Sequence, residues 1–257
     1  MESTTPSGKL DPRFAAERLF RERYPEAKSL FCGGSVVRGE GMPSSDLDVV
    51  VLFERVERAF RDSFSFAGWP VEVFVHDDET LAYFIDDDEK RGRPALPQMI
   101  AEGLVVPGPS AASERLQAWA RERLSSPRAR PAPDAFERAR YAVSDLLDDF
   151  RDERSRNEQV AIACALYPEI CEFVLAARGA WSGHGKTLPR KLRALDPDLA
   201  AALEHGFDRF FREGDRSEVI AAVERALAPF GGALFEGYRS DAPAEWRVPR
   251  ELVPWLK

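Results

Sequence analysis

Cysteine and histidine are scarce in this chain, with three of each among 257 residues. Cys32, Cys164 and Cys171 are an odd number without the paired spacing of a zinc site, and the last two fall inside an apolar helical pattern. They are expected to be reduced core residues. His76, His184 and His205 share no spacing and read as two loop residues and one helix-surface residue, so none is a candidate ligand. Long apolar runs are also missing: none approaches the ~20 residues that span a bilayer, and membrane insertion is not expected. The polar stretch Met1 to Arg13 lacks the apolar core of a secretory signal, which places the chain in the cytoplasm by expectation. An excess of positive charge is absent as well. Lys and Arg total 36 against 44 Asp and Glu, and a net charge of −8 argues against a non-specific grip on nucleic acid, where phosphate neutralisation dominates affinity. A small or cationic partner fits that balance better.

What is present describes a globular chain with room for one large domain or two modest ones. Pro12 and the apolar residues Phe14, Leu19, Phe20 and Tyr24 predict a first helix over 12–24. Ser29-Leu30-Phe31-Cys32, stopped by Gly33-Gly34, reads as a strand entering a tight loop. Leu47 to Phe53 is β-branched and almost continuously apolar, as in a strand covered on both faces. Phe64 to Phe66 and Val71 to Val75 flank Ala67-Gly68-Trp69-Pro70, which has the composition of a hairpin turn. Helices are expected at about 79–89, 95–102 and 113–124 to close a mixed unit. The run from Ser125 to Pro133 is dense in proline and charge, so residues 127–133 are assigned to a linker between units 1–126 and 134–257.

The second unit reads as a helical bundle, with periodic apolar positions over about 134–151, 156–178, 187–194, 198–212 and 216–228. Its tail, Tyr238 to Lys257, carries Trp246 and Trp255 and is expected to pack along the bundle. The fold class is therefore α+β: a small mixed sheet flanked by helices, then a C-terminal bundle.

The informative stretch runs from Gly33 to Val51. Side chains alternate across a strand, so Asp46 and Asp48 project on one face while Leu47 and Val49 enter the other. Two carboxylates at the start of a buried strand repel each other unless a divalent cation sits between them. Hard oxygen donors without His or Cys suit Mg²⁺, which is commonly held by one or two carboxylates plus substrate phosphates. The preceding Gly33-Gly34-Ser35 loop offers backbone that can approach phosphate closely and a hydroxyl donor, and Arg38 adds fixed positive charge. Glu72 alternates with Val71 and Val73 in an otherwise apolar strand, and beside Asp46-Leu47-Asp48 it could take a proton from an attacking hydroxyl.

Gly34-Ser35, ten further residues, Asp46-Leu47-Asp48 and a later acid in an apolar strand together resemble the nucleotidyltransferase superfamily that includes DNA polymerase beta. Gly34-Ser35-x-x-Arg38, Pro43-x-Ser45-Asp46-x-Asp48 and Trp69-x-Val71-Glu72-Val73 are most similar to the aminoglycoside nucleotidyltransferases, in which a catalytic domain precedes a helical one. Val37 stands where some of those proteins carry glycine. The resemblance implies transfer of a nucleoside monophosphate from a nucleoside triphosphate, ATP by expectation, to a hydroxyl, with release of pyrophosphate. It implies that Asp46 and Asp48 bind Mg²⁺ and that Glu72 is metal ligand or general base. Gly34, Ser35, Arg38 and Ser45 would meet the triphosphate. Trp181-Ser182-Gly183-His184-Gly185-Lys186 is similar to a segment whose lysine reaches the phosphates. An antibiotic-resistance role would follow.

Two acidic groupings remain. Asp145, Asp148, Asp149 and Asp152 share one helical face, either as a solvated surface or as a wall that receives a cationic acceptor. Asp86-Asp87-Asp88-Glu89 is consecutive and reads as a solvated helix end. Two rivals stand beside small-molecule transfer: a catalytically silent nucleotide-binding module, and a protein-modifying, antitoxin-like transferase, disfavoured by the large helical unit. A nucleic-acid polymerase is disfavoured by the charge balance.

Overall fold

The computed structural model describes residues 9–152 and 155–256; the start of the polar N-terminal stretch, Met1 to Gly8, and Lys257 at the end of the tail lie outside them. The chain separates into two compact units. One comprises Met1–Arg128 with Ala180–His184, and the other Ala129–Gly179 with Gly185–Lys257. The segment Ala180–His184 thus groups with the first unit, where Ser182 N–H donates to the Gly92 carbonyl at 2.8 Å and Trp181 Nε1–H to the Ser126 carbonyl at 3.2 Å.

The first unit opens with α1 (Pro12–Arg23), whose start is set by Asp11 accepting from Arg13 N–H and by proline in the first turn. It continues through β1 (Ser29–Gly33), the short helix α2 (Gly34–Val37), β2 (Leu47–Leu52), β3 (Phe60–Phe66) and β4 (Trp69–His76). Then come α3 (Asp78–Lys90), α4 (Ala95–Glu102), β5 (Leu104–Val106) and α5 (Ala111–Ser125). The five strands form one mixed sheet in the order β3-β4-β2-β1-β5, with β2 and β4 parallel and the remaining pairs antiparallel.

Period-two alternation divides this sheet between two cores. Leu47, Val49, Val51, Val71, Val73 and Val75 pack with Ala15, Ala16 and Leu19 of α1. Phe31, Val50 and Leu52 pack with Leu81, Ile85, Leu96, Ile100 and Ala120 of α3, α4 and α5. Helices on both faces explain the near-continuous apolar run of β2. The β3–β4 hairpin closes on Ala67-Gly68, both at positive φ (50° and 85°), while Trp69 and Pro70 lie within β4.

The second unit is helical: α6 (Pro133–Arg151), α7 (Arg156–Ala177), α8 (Thr187–Leu195), α9 (Pro197–Glu213) and α10 (Ser217–Leu227). Buried Val143, Leu147 and Phe150 of α6 share this interior with Leu166, Ile170 and Val174 of α7, Phe207 and Phe210 of α9, and Val219 and Val223 of α10. Phe150 and Phe210 meet edge to face at 4.8 Å. By length and composition α7 is apolar enough to cross a membrane, contrary to the expectation from apolar runs, because a window of mean hydropathy counts interspersed polar residues that a run does not. Eight of its residues are buried within the protein, the pattern of a core helix.

Four sequence expectations need correction. Cys164 is exposed, whereas Cys32 and Cys171 are buried; all three are free. Asp88 is buried rather than solvated: consecutive helical residues step round the axis, and position 88 falls on the inner stripe with Leu81 and Ile85, where its carboxylate accepts from Leu96 N–H at 2.9 Å and pairs with Arg91. His76 is not a loop residue but the buried end of β4. The tail follows the bundle only as far as Tyr238, which stacks on Tyr141 at 4.0 Å. Beyond it Trp246 and Trp255 are 73% and 83% exposed, because short 3-10 turns separated by prolines present no continuous apolar stripe.

Candidate active site

Three facts of strand geometry build the site. Gly33, the last residue of β1, pairs in register with Asp48 of β2. Asp48 in turn pairs with Glu72 across the parallel β2–β4 ladder. Asp48 shares its face with Val50, and Glu72 shares its face with Phe74, so both carboxylates emerge on the side covered by α3, α4 and α5. Asp46, two residues before Asp48, has the same parity. All three acids are half-buried, and one carboxylate oxygen from each lies within 4.8 Å of the others.

Gly34 opens the space that this grouping needs. Its φ is +83°, and a Cβ built there would lie 2.1 Å from Asp48 Oδ2. Both the left-handed backbone and the close carboxylate therefore require glycine. Burial first, and then the negative Asp48 beside it, push the Cys32 thiol up to about 12, so Cys32 stays a neutral packing residue.

The loop from α2 to β2 is tied down by serines. Ser35 Oγ–H donates to Ser45 Oγ at 3.3 Å, and Ser45 Oγ accepts from Met42 N–H at 2.8 Å. Ser45 directly precedes Asp46 in the chain. Arg38, a residue expected to meet the triphosphate, is paired with Glu102 at 2.9 Å and Glu40 at 3.5 Å. Lys186 is an exposed residue immediately before α8. On α6, Asp145 and Asp148 are exposed and Asp149 half-buried, and Asp148 is bonded to Arg151, which also holds Glu224.

Arg61 is not legible in the sequence. Its Nη2 lies 2.7 Å from Glu72 Oε1, and its guanidinium sits 5.1 Å from the Phe74 ring centre. A basic residue in the run Phe60-Arg61-Asp62-Ser63 has no signal of its own, and only the β3–β4 register, Arg61 opposite Phe74 and Ser63 opposite Glu72, brings it there.

The donor set is three carboxylates with no sulfur or imidazole, which suits a hard divalent cation such as Mg²⁺. The residues fit the ion.

Comparison with known proteins finds a family match for part of the chain. Residues 16–96 match the nucleotidyltransferase domain family. That interval contains Gly34, Ser35, Arg38, Ser45, Asp46, Asp48, Arg61 and Glu72, but neither Lys186 nor α6. A nucleotidyltransferase-like protein of known crystal structure from Exiguobacterium sibiricum is 14% identical, with a TM-score of 0.42 over 84% of this chain and 74% of that one. No curated protein matches the chain. The chain carries a nucleotidyltransferase domain over residues 16–96, and its acidic triad lies within that domain.

Proposed function

We propose that the protein transfers a nucleoside monophosphate from a nucleoside triphosphate, ATP in the first instance, to a hydroxyl of a small cationic acceptor of the aminoglycoside type. The observation that carries this reading is the convergence of Asp46, Asp48 and Glu72 beside the Gly34–Ser35 turn. Asp46 and Asp48 would hold Mg²⁺, with Glu72 as a third ligand or as general base. A bound divalent cation neutralises charge on the reacting phosphates and on the leaving pyrophosphate.

The remaining chemistry is assigned to the chain's own groups. A carboxylate oxygen of Glu72 takes the acceptor's hydroxyl proton, the freed oxygen bonds to the α-phosphorus, and the bond to the bridging oxygen of pyrophosphate breaks. Ser35 and Ser45 donate hydroxyl protons to triphosphate oxygens, and Gly34 lets backbone approach them without a side chain. Arg38 and Lys186 add positive charge, Arg38 after leaving Glu102. Asp145, Asp148 and Asp149 attract the amines of the acceptor.

The test is incubation with labelled nucleoside triphosphates, Mg²⁺ and a panel of hydroxylated amines. The reading expects pyrophosphate and an acceptor heavier by one nucleoside monophosphate. Pyrophosphate without any modified amine would overturn the acceptor assignment, and absence of both would favour a silent nucleotide-binding module.

A further inference from the structure

Glu72 carries two demands at once. It belongs to the group of acids suited to a divalent cation, and one of its oxygens is bonded to the Arg61 guanidinium at 2.7 Å. A guanidinium and a divalent cation compete for the same carboxylate charge, and each repels the other at close range. Arg61 also has a second seat. It rides on edge strand β3, its side chain is 56% exposed, and its guanidinium already lies over the Phe74 ring, 5.1 Å from the centre. Leaving Glu72 would cost it one ion pair while keeping the ring contact and gaining water.

We propose that Arg61 is the resident counter-cation of this acidic group, holding Glu72 until metal binds and keeping the affinity for free divalent metal low. Turning of the guanidinium from Glu72 to solvent, with its contact on Phe74 kept, then releases Glu72 when metal arrives on a polyphosphate, whose oxygens supply the further ligands. The inference rests on the reading of Asp46, Asp48 and Glu72 as metal ligands. Arg61 is a positioning residue in this scheme and contacts no reacting atom. It also holds the third acid in place when no metal is bound, limiting repulsion among the carboxylates.

The test is direct titration of the full chain with Mn²⁺ alone, without nucleotide, followed by electron paramagnetic resonance. Wild type, Arg61→Met, Arg61→Gln and Arg61→Lys would be measured, each with and without Asp48→Asn. Methionine keeps an unbranched apolar stem on β3 but removes the charge; glutamine serves if methionine disturbs the strand. Loss of the guanidinium is expected to tighten Mn²⁺ binding about fivefold or more, in the range typical of coupling between two sites. Lysine should restore weak binding to within about twofold of wild type, since it restores the charge. Asp48→Asn should abolish binding in every background.

Unchanged or weaker Mn²⁺ binding in both neutral variants, with binding still lost on Asp48→Asn, would overturn the role of Arg61 and leave the metal site standing. No Mn²⁺ binding in wild type or in either neutral variant would overturn the metal reading itself and this inference with it.

Discussion

Gly34 and Asp48 occupy a space that admits no further carbon: a Cβ on Gly34 would stand 2.1 Å from Asp48 Oδ2, at a backbone φ of +83°. Gly34→Ala must therefore either move the carboxylate or unwind the turn. The left-handed backbone alone costs an alanine about 1–2 kcal/mol, so chemical denaturation should show at least that loss. Mn²⁺ affinity should fall as well, because the displaced group is a proposed ligand. A Gly34→Ala variant with wild-type stability and metal binding would mean that Asp48 is not held by this contact.

The buried end of β4 gives a pH dependence of known sign. Burial holds the His76 imidazole below its ordinary pKa of 6.5, with neighbouring Asp77 pulling partly the other way, and Nδ1 has no hydrogen-bond partner among the described residues. The unfolded chain therefore binds a proton more readily than the folded one below pH 6.5. The stability contributed by neutral His76 is complete above that pH and is lost as pH falls from 6.5 toward the lower folded value. His76→Phe should flatten this limb of a stability-against-pH profile measured by urea unfolding. An unaltered profile would show that other groups set it.

The acidic face of α6 is testable through salt. If Asp145, Asp148 and Asp149 attract a cationic acceptor, the acceptor KM should rise with ionic strength, since screening reaches ~8 Å at physiological salt. Asp148→Asn with Asp149→Asn should raise the same KM severalfold and leave the KM for nucleotide unchanged. Asp148 pairs with Arg151, and neutralising it alone should have a smaller effect than the double substitution. An acceptor KM indifferent to both salt and substitution would make this face solvated surface only.

Much of this fold is written in periodicity. The apolar run Leu47–Leu52 announces a strand covered on both faces because every one of its positions but Asp48 is buried. The bundle helices are equally legible, since stripes three and four apart must turn inward. What periodicity cannot carry is spatial pairing. Strand β5 has only three residues and exists by its bonds to β1, and α2 is a single turn. Asp88 reads as solvated because its neighbours are acids, yet its angle on α3 points it inward. The same limit divides the site. Asp46, Asp48 and Glu72 stand out because an acid in an apolar strand needs a reason, whereas Arg61 sits in polar sequence, and only the β3–β4 register reveals the residue beside Glu72.

The most direct test of the central claim pairs one substitution with one product assay. Asp48→Asn keeps volume and removes a proposed metal ligand, so the variant should fold with wild-type circular dichroism. Loss of an outer partner of a metal ligand typically costs about 10–100-fold, and removal of a ligand itself should lower nucleotidyl transfer by more. With wild-type enzyme, nucleoside triphosphate, Mg²⁺ and a hydroxylated amine, mass spectrometry should find the acceptor increased by one nucleoside monophosphate, and with Asp48→Asn it should not. Equal product from the two proteins would contradict the account, because the chemistry would then not depend on the acids that converge beside Gly34.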